Sequence, residues 1–239
     1  MRDHLVLVPG LLCDATVWEH QIAALSRSCD VTVSDLTPFD RLEAMAAHIL
    51  AAAPDRFAIA GHSMGGRVAL EVWRQAPDRV ARLGLLDTGV HPASPDEPVK
   101  RQAMLDISAR SGMTALADAW LPPMVQPGRL ERDEDLRGAL YAMVERMSPA
   151  IHRAQIAALL HRPDAAPLLP QIGCPVLVGV GENDLWSPPE QHRAIAAAIP
   201  GAELVIFAGS GHMAPIEGAE AVTGALARWM QRGAASAGA

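Results

Sequence analysis

The 239-residue chain is poor in cysteine, carries no excess of basic charge and contains no long apolar run. Its three cysteines, Cys13, Cys29 and Cys174, are too few and odd in number for a disulfide framework. That points to a reducing cytosol. No Cys/His cluster has the spacing of zinc ligands. Lys and Arg total 20 against 27 Asp and Glu, a formal charge of −7, which argues against binding to nucleic acid or to an anionic membrane. No stretch reaches transmembrane length. The first apolar run, Leu5 to Val8, is too short for a signal-peptide core and is broken at once by Pro9-Gly10. The tail from Gly233 to Ala239 is small and featureless, and is expected to fray.

What is present is enough apolar material for a sizeable core: half the residues are hydrophobic. Short continuous apolar runs recur at Leu5–Val8, Val31–Ser34, Phe57–Ala60, Leu83–Leu86, Val176–Val180 and Leu204–Phe207. Runs without alternation suit parallel strands covered on both faces. Amphipathic helices are expected between them. Trp18, Ile22 and Leu25 recur with helical spacing, as do Leu42, Met45 and Ile49, and Val222, Leu226 and Trp229. Thr16 and Glu19 suggest a capping box for the first helix, and Pro77 a stop for the helix after Ser63. Strand–helix alternation predicts an open parallel sheet of six strands with right-handed crossovers.

The rhythm breaks between His91 and Gln171. That stretch opens with Pro92, Pro95 and Pro98, has no convincing strand and holds five of the ten methionines. It reads as a helical cap, residues 91–171, inserted after the fourth strand into a core formed by residues 1–90 and 172–239.

Gly61-His62-Ser63-Met64-Gly65-Gly66 lies between an apolar strand and a helical run. A serine on so tight a turn projects its hydroxyl from the sheet, and the helix that follows aims the Met64 N–H at a developing oxyanion. A Gly-x-Ser-x-Gly pattern alone is weak; the strand before it and the helix after it make it informative. A serine hydroxyl needs a base, and the base needs an orienting carboxylate. Of nine histidines, His212 alone follows a terminal strand on a glycine-flanked loop. His62 adjoins Ser63 but should point elsewhere at a sharp turn, and His152 and His161 could at most touch substrate. Asp184 is the favoured acid, with Glu182 on the same loop and Asp87 at the end of the fourth strand as rivals. Pro9 has no N–H to offer, so Leu11 is the candidate for the second oxyanion donor.

With these segments assembled, the chain resembles the α/β-hydrolase superfamily, particularly small bacterial carboxylesterases with a helical cap. The markers are Val8-Pro9-Gly10-Leu11, the Ser63 segment, Gly181-Glu182-Asn183-Asp184 and Gly211-His212. The resemblance implies catalytic Ser63, Asp184 and His212, oxyanion donors at Leu11 and Met64, and a lid made by the insertion. Two departures stand out. Many members have His-Gly where this chain has Pro9-Gly10. Members also commonly begin with an antiparallel strand pair, whereas this chain starts at its first parallel strand, leaving Val31–Ser34 as an edge that could support a dimer.

The expected reaction is hydrolysis of small to medium, mainly apolar esters through an acyl-enzyme, with no metal or organic cofactor. Thioester and carbon–carbon bond hydrolysis use the same residues, and a non-catalytic ligand-binding homologue is the remaining alternative. Leu12, Trp120, Trp186 and Met213 are the expected substrate contacts. No arginine or lysine pair stands out as a clamp for a charged substrate.

Overall fold

The computed structural model describes residues 2–232; the expectation of a frayed tail at 233–239 lies outside them. Six parallel strands form one sheet in the order β2-β1-β3-β4-β5-β6. They are β1 (His4–Val8), β2 (Asp30–Val33), β3 (Phe57–His62), β4 (Val80–Leu86), β5 (Val176–Gly181) and β6 (Glu203–Phe207). Every residue of β3 and of β5 is buried. Because successive side chains point to opposite faces, this requires cover on both sides. β2 is an edge, as expected, and its residues are only half-buried or exposed.

β4 begins three residues earlier than its apolar run suggests, because Arg82 lies within it. The Arg82 guanidinium escapes the core by donating to the Arg232 carbonyl (2.9 Å) and pairing with Asp3 (3.3 Å). A cation that reaches the end of the sheet does not break a strand.

The flanking helices are α1 (Glu19–Leu25), α2 (Leu42–Ala52), α3 (Met64–Gln75), α8 (Pro189–Ala198), α9 (Ala214–Glu217) and α10 (Ala219–Gln231). α3 lies on β3 and β4, while α8 and α10 lie on β5. The apolar stripes meet the core: Leu42, Met45 and Ile49 are buried in α2, and Val222, Leu226 and Trp229 in α10. The Thr16–Glu19 capping box does not form. Asp14 begins a 3-10 turn before α1, accepting the Thr16 N–H at 2.9 Å. Thr16 falls inside that turn and its hydroxyl instead accepts from Arg146 (2.6 Å).

Between β4 and β5 the chain is helical: α4 (Glu97–Trp120), α5 (Arg129–Arg132), α6 (Glu134–Glu145) and α7 (Pro149–Leu160). α4 packs on α6 and α7 and is broken at Gly112, whose φ of 84° lies in the left-handed region. Pro122–Met124 forms a short 3-10 turn after α4. Arg146 in this segment also donates to Asp14 (2.8 Å), tying it to the loop that leads into α1.

Register brings Val8, His62, Leu86, Gly181 and Phe207 to one edge of the sheet. β1 leads to β2 on one side and pairs with β3 on the other, so the strand order reverses at β1 and β3. Crevices beyond the carboxyl ends of strands at such a point are where open α/β sheets bind ligands.

Candidate active site

Among the described residues, three other than glycine have positive φ: Leu12 (58°), Ser63 (54°) and Asp87 (48°). They follow β1, β3 and β4, three adjacent strands, at the same edge. Each such conformation costs about 1–3 kcal/mol and persists only where surrounding contacts enforce it. At Ser63 the enforcement is visible. Its N–H donates to the Leu86 carbonyl (2.8 Å), and its own carbonyl accepts from the Thr88 hydroxyl (2.6 Å). A Cβ at Gly61 would strike the Gly65 backbone, and one at Gly65 would strike the carbonyls of Val8 and Pro9. Glycine at both positions therefore lets β3, α3 and the loop after β1 close on one another.

The structure brings Ser63, His212 and Asp184 together. His212 Nδ1 is 2.8 Å from Asp184 Oδ2, and His212 Nε2 is 2.8 Å from Ser63 Oγ. A carboxylate can only accept, so Nδ1 carries the proton and Nε2 is left to accept from the serine hydroxyl. Asp184 is buried, and its other oxygen accepts from the Trp186 and Ser187 N–H groups (both 2.8 Å). The loop bearing His212 is held by the carboxylate of Glu217, which accepts from Gly211 N–H (2.8 Å) and Gln126 N–H (2.7 Å). Burial pushes the Glu217 pKa up, against the pull of those two bonds.

Neither rival carboxylate reaches His212. Glu182 accepts from the Gly209 N–H (3.1 Å). Asp87 is buried and accepts from the Gly181 N–H (2.8 Å). Burial, reinforced by the Asp184 carboxylate, pushes the Asp87 pKa well up. His62 turns its Nε2–H to the His212 carbonyl (2.7 Å), and burial pushes its pKa down to about 3.

The Leu11 and Met64 N–H groups have no acceptor among the described residues. Leu11, Met64, Ser63 and His212 all line one cavity of about 300 Å³. Trp120 and Trp186 line it as well, as does His152, whereas Leu12 and Met213 are fully buried outside it. Leu12 is turned away by its own loop: its N–H donates to Gln155 Oε1 of α7 (2.9 Å). Met213 is held beneath the site by its N–H bond to the Met124 carbonyl (3.1 Å). Among the described residues no three His, Cys, Asp or Glu side chains gather as metal ligands would.

The alpha/beta hydrolase family model matches residues 5–225. The chain belongs to the alpha/beta hydrolase family. A thermophilic esterase from Thermogutta terrifontis with malate bound shares this hydrolase's architecture at a TM-score of 0.86 and 29% identity, over 95% of this chain and 89% of that one. The enol-lactonase of Burkholderia xenovorans LB400 aligns at 0.86 and 27%, over 96% and 92%. In sequence, a pimeloyl-acyl-carrier-protein methyl ester esterase of Nitrosomonas europaea is 27% identical over 87% of this hydrolase and 88% of the relative.

The cavity also holds what the sequence did not mark. Arg67, Lys100, Arg101 and Arg162 line it, against Glu97 and Asp87. No pair of these cations stood out in the sequence; the structure brings all four to the cavity lining. The cations lie on α3, on α4 and beyond α7, up to 95 positions apart in sequence, so no spacing could reveal them; only Arg67, four residues after Ser63, had a local signal.

Proposed function

We propose that this hydrolase cleaves carboxylic esters of small to medium acyl groups through an acyl-enzyme on Ser63, with His212 as base and Asp184 as its orienting acid. The observation that carries the reading is the unbroken chain from Ser63 Oγ through the His212 ring to Asp184, opening on a cavity beside two unused N–H donors. Relatives named as esterase and lactonase support the same bond type.

Ser63 Oγ attacks the ester carbonyl while its proton passes to His212 Nε2. The Leu11 and Met64 N–H groups receive the oxyanion; Met64 begins α3, so the helix dipole adds to its bond. The imidazolium returns the proton to the departing alkoxide, leaving Ser63 acylated. Water then gives a proton to His212 and attacks the acyl carbon, releasing the acid and restoring Ser63. Asp184 holds the Nδ1–H tautomer throughout and stabilises the imidazolium. The helices of residues 91–171 act as a cap that covers the cavity and limits water.

Labelling with a fluorophosphonate followed by peptide mapping tests this. Modification at Ser63, with turnover of short acyl esters lost in Ser63→Ala, is the expected result. Labelling elsewhere, or undiminished turnover in the variant, would overturn it.

A further inference from the structure

The cations that line the cavity outnumber the carboxylates that pair with them. Glu97 is engaged twice, by Arg101 (2.6 Å) and by Arg162 (2.6 Å). Lys100 is exposed and pairs with Asp96. Arg67 has no carboxylate within ion-pair distance among the described residues. Its only bond there runs from Nη1 to the His91 carbonyl (2.8 Å), a carbonyl that also accepts from Arg162. Its Nε and Nη2 hydrogens have no acceptor among the described residues, and the side chain is only partly buried, so they stay open to a ligand in the cavity.

Position makes this charge useful. Arg67 stands in the first turn of α3, four residues after Ser63, which caps that helix. Both side chains line the same cavity. At about 300 Å³ that cavity is at the small end of ligand sites, so a compact substrate must fill it whole. Burial, with the Arg162 cation beside it, pushes the Arg67 pKa down to about 9. It remains a cation at neutral pH.

From the open guanidinium, the cationic wall and the shared cavity, we infer that the preferred substrate bears a free carboxylate a few bonds from the scissile ester, received by Arg67. A half-ester of a short dicarboxylic acid has that form. One open guanidinium matches the single charge of a carboxylate, and its forked N–H groups suit two carboxylate oxygens. The apolar contacts Trp120 and Met124 then face the remaining carbon chain. This inference rests on the ester-hydrolase reading and narrows its substrate class.

The test compares monomethyl with dimethyl esters of succinic, glutaric and adipic acids. The readout is the ratio of kcat/KM for half-ester over diester. The wild type should favour the half-esters. Arg67→Gln should lower the ratio about 10- to 100-fold, the range for a charge-assisted hydrogen bond, chiefly through KM. Arg67→Lys should retain an intermediate ratio, which a folding defect would not produce. A wild-type preference for the diesters, or a ratio within about twofold of wild type in Arg67→Gln, overturns the inference. Glutarate should also inhibit competitively at lower concentration than inorganic phosphate; the reverse order overturns the assignment of a carboxylate. Were no ester turned over and Ser63 unlabelled, the hydrolase reading would fail by itself. Calorimetric binding of glutarate then decides this inference separately: binding weakened in Arg67→Gln upholds it, and absence of binding to the wild type sinks it.

Discussion

Gln155 offers a sharp test of whether α7 governs the chemistry at the loop after β1. Its side chain comes from α7 and accepts the Leu12 N–H at 2.9 Å; both residues are almost wholly buried. Leu12 is held with φ of 58°, and its neighbour Leu11 supplies one of the proposed oxyanion donors. Gln155→Leu keeps the volume but removes the acceptor. A buried N–H left without a partner costs about 1–3 kcal/mol. For a chain of this size that lowers Tm by roughly 2–4 °C per kcal/mol. The released loop should also let the Leu11 N–H drift. Complete loss of an oxyanion donor costs about 10²–10³ in kcat, so partial displacement should cost about 10- to 100-fold, with KM changed less than about threefold. Urea unfolding and steady-state kinetics on one short ester measure both quantities. Stability reduced as stated, with kcat within about twofold of wild type, would refute the coupling of α7 to the oxyanion loop. Unchanged stability would refute the bond itself.

Asp184→Asn should lower kcat by about 10⁴ through the wrong His212 tautomer. Asp87→Asn should cost less than about tenfold, because Asp87 serves Gly181 and its carboxyl is already driven toward the neutral form; equal losses in kinetic assays of the two variants would overturn the assignment of the acid. Gly65→Ala should destabilise by about 3 kcal/mol or more, since its methyl would meet the Val8 and Pro9 carbonyls; a normal urea midpoint would contradict that packing. Stability should fall as pH drops from about 6.5 toward 4. Burial holds His62 at about 3 and both His152 and His192 at about 4, so the unfolded chain takes up protons that the fold refuses. Each contributes up to about 1.4 kcal/mol per pH unit, opposed by Asp87, whose raised pKa favours the fold as it protonates. Unfolding free energies that stay level or rise between pH 7 and 5 would contradict the neutral burial of these rings.

The sequence by itself determined the order of strands and helices, the turn at Ser63 and the loops bearing Asp184 and His212. These are local matters: apolar runs, helical spacing, and glycines at 61 and 65 where no side chain fits. It misplaced what depends on a neighbour. Thr16 looked like a cap because the 3-10 turn begun by Asp14 is invisible in spacing. Leu12 and Met213 looked like cavity residues because proximity in sequence to Leu11 and His212 does not say which way a side chain turns. Only the tertiary structure chose Asp184 over Asp87, by seating one carboxylate on the imidazole and the other on the Gly181 N–H. Only the tertiary structure paired Arg101 and Arg162 with a single Glu97 and set Arg67 in the same cavity. Charges on separate helices acquire a common purpose only when packing removes the water between them, and no periodicity in the chain encodes that meeting.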